Sequence, residues 1–150
     1  MNLSPNFTMD ELTKTSQPFA NVPGPVETAK LRTLCEKVLE PIRAHFGKPV
    51  RVNSGYRSPR VNAAVGSKST SQHMLGEAAD IEIDGVSNAD LAKWIRDNLK
   101  FDQVILEAYR PGVAGSGWVH VSYRVGRLRQ SALTMTMGTH GAVYSKGINA

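Results

Sequence analysis

The sequence predicts an α+β fold, a small central antiparallel sheet with helices packed mainly on one side. Apolar residues recur at spacings of three and four early in the chain, while strictly alternating stretches accumulate after residue 79. No internal repeat is present, and connections rich in Gly, Pro and Ser separate the segments. At 150 residues the chain is expected to form one domain, 1–150, with a single core.

The elements follow in order. Thr8 precedes Glu11 by three residues, the capping-box spacing, so a short helix with Met9 and Leu12 on its buried side is expected to open the chain. Residues 17–25 hold three prolines and read as an extended connector. Leu31, Leu34, Val38, Ile42 and Phe46 then form one apolar helical stripe, with Cys35 beside it as a small core residue. Pro41 predicts a kink or a broken last turn, and Gly47 a stop. Val50–Ser54 reads as a strand, 58–64 as a helical turn and 66–71 as loop. Residues 79–84 alternate strictly, with Asp80 and Glu82 on the polar side. Ser87 caps a helix over 88–99 that buries Leu91, Trp94, Ile95 and Leu99. Strands are expected at 102–109, 118–123 and 131–137.

Composition narrows the function classes. With 41% hydrophobic and 21% charged residues, the chain is neither disordered nor collagen-like. No apolar run is long enough to span a bilayer, so no membrane insertion is expected. Residues 1–5 contain no basic residue followed by an apolar stretch, so no secretory leader is read. One cysteine rules out an internal disulfide or a multi-cysteine metal cluster, leaving any metal to His and carboxylate ligands among four histidines. The net charge of +5 invites a polyanion partner, but its basic residues are scattered, and Arg124, Arg127 and Arg129 read as a solvated basic face. Nucleic acid is therefore not expected as a partner.

The chemistry concentrates in Ser71-Gln72-His73-Met74-Leu75-Gly76-Glu77-Ala78-Ala79-Asp80 and in Trp118-Val119-His120. His73 ends a polar loop, Asp80 leaves the polar side of a strand, and His120 shares a strand face with Trp118 and Ser122. Two imidazoles and a carboxylate supply three ligands and leave a fourth position for water, the donor set of a catalytic zinc site. By spacing alone these residues carry no metal signature, and a histidine in a strand is equally at home as a hydrogen-bonded structural residue.

With Ser54-Gly55-Tyr56-Arg57-Ser58 upstream, the ordered motifs resemble the zinc peptidases of the D-Ala-D-Ala carboxypeptidase and L-alanyl-D-glutamate peptidase group. These share a fold with the hedgehog signalling domain. The resemblance covers nearly the whole chain, including Leu39-Glu40-Pro41-Ile42-Arg43 and the late 127–144 segment, and is nearest to the compact phage-like or bacterial members. It implies Zn²⁺ held by His73, Asp80 and His120, and Arg57 as the cation for a substrate carboxylate or an oxyanion. Ser71 falls where the group has a hydroxyl near the substrate, although a loop serine also bonds its own backbone. Many relatives carry an acid three residues before the last histidine, where this chain has Gly117. Glu107 is therefore the first candidate for general base and Glu82 the second.

The function so implied is hydrolysis of a peptide bond in the peptidoglycan stem by a monomeric, endolysin-like enzyme. It would be made in the cytoplasm and act at the wall after release or delivery. The alternative is a non-catalytic, zinc-stabilised binding module of the same fold.

Overall fold

The computed structural model describes residues 1–150. Two short strands, β1 (Asn2–Ser4) and β2 (Phe7–Thr8), precede the first helix and pair with each other, an element the sequence reading omitted. Helix α1 (Met9–Thr13) starts at the expected capping box: the Thr8 hydroxyl accepts from the Glu11 N–H, and Glu11 accepts from the Thr8 N–H. Pro25 occupies the first turn of α2 (Pro25–Leu34), where a missing N–H costs nothing.

The long apolar stripe is one continuous helical rod, but its irregularity precedes Pro41. Residues Cys35–Leu39 form a π turn between α2 and α3 (Glu40–Phe46), with the Glu40 N–H bonded to the Cys35 carbonyl. Pro41 would collide with the carbonyl four residues back in a regular helix, and the wider turn relieves that contact without breaking the rod. Cys35 is buried there, and burial pushes its thiol up to about 12, consistent with a core residue.

The main sheet has six strands in the order β3-β4-β6-β5-β7-β8. These are β3 (Arg51–Ser54), β4 (Ala78–Glu82), β5 (Gln103–Glu107), β6 (Trp118–Ser122), β7 (Ser131–Gly138) and β8 (Gly141–Lys146). The last was not expected, since the strands read from the sequence end at 137. Helix α4 (Pro59–Ala64) is capped by Ser58 and α5 (Asn88–Asn98) by Ser87. Alternation along the strands divides the sheet. Ala79, Ile81, Val104, Leu106, Val119 and Val121 join the helix residues in one core, while Asp80, Glu107, Trp118 and His120 fall on the other face. No helix is long and apolar enough to cross a membrane.

The sheet is larger than expected and is mixed, because β5 and β7 run parallel. The chain leaves β6 at Ser122, wraps the start of β5 and enters β7 opposite Gln103. Asp102, fully buried at that crossing, holds the wrap. It accepts from Arg129 Nε at 2.7 Å, Arg129 Nη2 at 3.0 Å, Arg127 Nη2 at 2.8 Å and Gln72 Nε2 at 3.0 Å. Arg124 similarly grips the buried Glu77, at 2.9 Å through Nε. The late arginines are therefore anchors for buried carboxylates and not a free solvated face.

Burial alone would raise the Asp102 carboxyl, but the bonds from Arg129 and Arg127 outweigh it and hold the pKa well below the usual range. A depressed folded pKa contributes stability that is present above the unfolded value of about 4 and is lost as pH falls through the folded one. Asp102→Asn is expected to cost about 3 kcal/mol at pH 7. In urea unfolding its deficit against the wild type should shrink below about pH 4; a deficit independent of pH would contradict the ionic clamp.

Candidate metal centre

The centre is assembled from three pieces of chain that are distant in sequence. His73 lies in a short 3₁₀ turn, Gln72–Leu75, whose N-cap is Ser71: the Ser71 hydroxyl accepts from the His73 N–H at 3.2 Å. Asp80 and His120 stand directly opposite each other in the antiparallel β4–β6 pair. Ala78 and Ala79 are fully buried beside Asp80, where small side chains let the strands lie close.

Asp80 Oδ1 faces both imidazoles, His73 Nε2 at 3.3 Å and His120 Nδ1 at 3.1 Å. The three candidate ligand atoms all lie within 4.8 Å of one another. Ligand atoms about 2.0–2.2 Å from a tetrahedral zinc are separated by roughly 3.3–3.6 Å, so the two short separations fit a common ion. The surroundings prepare the donors. His73 Nδ1 donates to the Gly55 carbonyl at 2.7 Å, which turns Nε2 toward Asp80. Arg57 Nη2 donates to Asp80 Oδ2 at 3.2 Å, occupying one carboxylate oxygen and leaving Oδ1 to the imidazoles.

The Gly55 carbonyl is itself fixed by a close approach. A Cβ on Gly55 would collide with the Leu12 carbonyl oxygen, which accepts the Tyr56 N–H at 2.7 Å. The end of α1 is thereby docked behind the metal centre. Burial opposes ionisation of Asp80, yet the His73 charge and the His120 hydrogen bond hold its carboxyl below the usual range. Burial would lower the His120 pKa, but the Asp80 hydrogen bond and charge raise it. Such a cluster of one buried anion, one buried imidazole and one half-buried imidazole suits a divalent cation in place of the protons.

Glu107 ends β5 opposite Trp118, on the same face as His120. The Trp118 indole N–H donates to its carboxylate. Its pKa is raised, first by burial and then by the negative charge of Asp80. Glu82 is placed differently. Arg51, Asn53 and Asn88 all donate to it, and these bonds outweigh burial and lower its pKa. An acid at 117 is excluded sterically: Gly117 has φ +69° and a Cβ there would collide with the carbonyl oxygen of Glu107.

Each candidate residue is thus accounted for by geometry. His73, Asp80, His120 and Arg57 converge, Glu107 overlooks them, Ser71 caps the turn that carries His73, and Glu82 is tied up in a separate network. Two supporting groups escaped sequence reading, the Gly55 carbonyl and the Trp118 indole. The first is a backbone atom with no composition signal. Of the other histidines, His45 stacks on Trp94 with ring centroids 4.3 Å apart, and His140 is exposed at the β7–β8 turn.

The sequence also matches known proteins over the segment that carries this centre. The sequence model of the Peptidase M15 family matches residues 5–122, a span that contains every residue of the centre. The zinc D-Ala-D-Ala carboxypeptidase of Streptomyces albus G is 34% identical over 109 residues, covering 71% of this chain and 42% of that protein. The chain therefore spans less than half the length of that relative.

Two outcomes test the geometry. Wild-type protein dialysed against zinc is expected to retain one ion per chain by elemental analysis, and His73→Ala or His120→Ala to retain much less; undiminished zinc in either variant would contradict the ligand set. Gly117→Ala is expected to lose about 2–4 kcal/mol in chemical denaturation, because the added carbon meets backbone at a left-handed φ.

Proposed function

The chain belongs to the Peptidase M15 family, and from that premise we propose that it is a zinc-dependent peptidase cutting a peptide bond in the peptidoglycan stem. The observation that carries this reading is the placement of Glu107 on the sheet face that gathers His73, Asp80 and His120. The name of the Streptomyces relative supports a D-Ala-containing substrate cut by a carboxypeptidase, and we extend the proposal to an endopeptidase cut in the same stem. An endolysin-like role at the wall is the setting that fits such a substrate.

When bound to these three ligands, zinc supplies a Lewis acid that polarises the scissile carbonyl and makes water more acidic. The remaining chemistry falls to the protein. Glu107 takes a proton from the attacking water and passes it to the departing amine, a role suited to a carboxyl whose pKa is raised. The indole N–H of Trp118 keeps that carboxylate aimed over the centre. Arg57 spends Nε on Ser54 at 2.9 Å and Nη2 on Asp80, leaving Nη1 for a substrate carboxylate or the developing oxyanion. Ser71 accepts a backbone N–H, so its hydroxyl proton is available to a substrate carbonyl.

The alternative, a binding module that keeps zinc for structure, drew its support from the missing acid at 117. A half-buried carboxylate at Glu107, in a place that position 117 cannot serve, favours the peptidase.

Incubation of purified muropeptides with the zinc-loaded protein, followed by mass spectrometry, is expected to show one stem-peptide bond cut, and none after chelation. Intact muropeptides with fully loaded protein would overturn the proposal. Glu107→Gln should keep its zinc and lose on the order of 10²–10⁴ in rate; an unchanged rate would remove Glu107 from the mechanism.

A further inference from the structure

The open face of the sheet continues past Glu107 for two more strands, through residues beyond the segment matched to the family. Trp118 pairs with Glu107, Glu107 with Met135 and Met135 with Tyr144, so these four side chains form one row on the face that carries His120. Met135 is only 7% exposed although it lies outside the core under the helices. Tyr144 is 53% exposed, and Met137, on the same face of β7, is 67% exposed. The Tyr144 phenol has its pKa raised by partial burial and then by the Glu107 charge, which places it within electrostatic reach of that carboxylate. A row that starts at the reacting centre thus ends in an unpaired apolar and aromatic surface.

We propose that Met135 and Tyr144 form a platform for the part of the peptide substrate remote from the cut bond, with the Tyr144 ring packing against it. This rests on the peptidase reading and adds a statement about substrate length. Neighbouring strands lie about 4.8 Å apart, which puts the Tyr144 backbone roughly 10 Å from that of Glu107. The metal ligands lie one strand further from Tyr144 than Glu107 does, so at about 3.3–3.6 Å per extended residue the ring meets a residue three to four positions from the scissile bond. The substrate is accordingly a stem peptide of at least four residues lying across the strands, and Tyr144 is a positioning residue rather than a catalytic one. A flat aromatic ring on a sheet edge supplies contact area with little side-chain entropy to lose.

The test compares a pentapeptide stem with the shortest fragment of it that the wild type still cuts. The wild type is expected to have a lower KM for the pentapeptide, Tyr144→Ala to lose about tenfold of that preference with kcat largely kept, and Tyr144→Phe to restore it. Calorimetry on the zinc-free proteins should show the pentapeptide bound about tenfold more weakly by Tyr144→Ala. A Tyr144→Ala protein that keeps the length preference and the affinity would overturn the platform while leaving the peptidase reading intact. A wild type that cuts no stem peptide would overturn both.

Discussion

One buried carboxylate organises this molecule. Asp80 presents Oδ1 to two imidazoles and Oδ2 to a guanidinium, in a strand whose flanking alanines are fully buried. An anion removed from water is costly unless its partners are close and fixed, so each partner must be held by its own support. His120 is held by strand register, His73 by the Gly55 carbonyl, and Arg57 by the Ser54 hydroxyl as well as Asp80. Much of the architecture can be understood as supplying those supports. Helix α1 fixes Gly55, and Gln72, adjacent to His73, is pinned between Glu77 and Asp102.

The same logic connects the mixed sheet to the reacting face. The arginine-bound Asp102 secures the crossing that brings β7 parallel to β5. Without that crossing β5 would be an edge, and Glu107 would look out on solvent instead of on Met135. Burial is the first cause of the raised Glu107 pKa, and β7, which Asp102 helps bring alongside β5, places Met135 opposite Glu107. The positive charge of the late segment thereby acquires an internal purpose: three of the chain's arginines are spent on two buried carboxylates. They give little support to a polyanion-binding face.

Sequence made some of this legible and hid the rest for physical reasons. The capping box of α1, the alternation that turns Asp80 away from the core and the serine cap of α5 are local effects, and the structure follows them. The candidate ligands were legible only through the resemblance of the ordered motifs to a known group, since H-x6-D and a distant W-x-H mean little by themselves until strand pairing sets Asp80 against His120. Glu107 was legible only as the nearest acid in a neighbouring strand; its indole partner and its burial depend on register. The parallel β5–β7 pair depends on contacts remote in sequence, as do the ion pairs of Arg124, Arg127 and Arg129. Composition registers those arginines as charge and nothing more.

The claim on which all else rests is that His73, Asp80 and His120 hold one zinc ion. X-ray absorption spectroscopy of the stoichiometrically loaded protein measures this directly. The account predicts a first shell of nitrogen and oxygen at about 2.0–2.2 Å with the outer scattering of two imidazoles. A sulfur neighbour near 2.3 Å, or a shell without imidazole scattering, would contradict it.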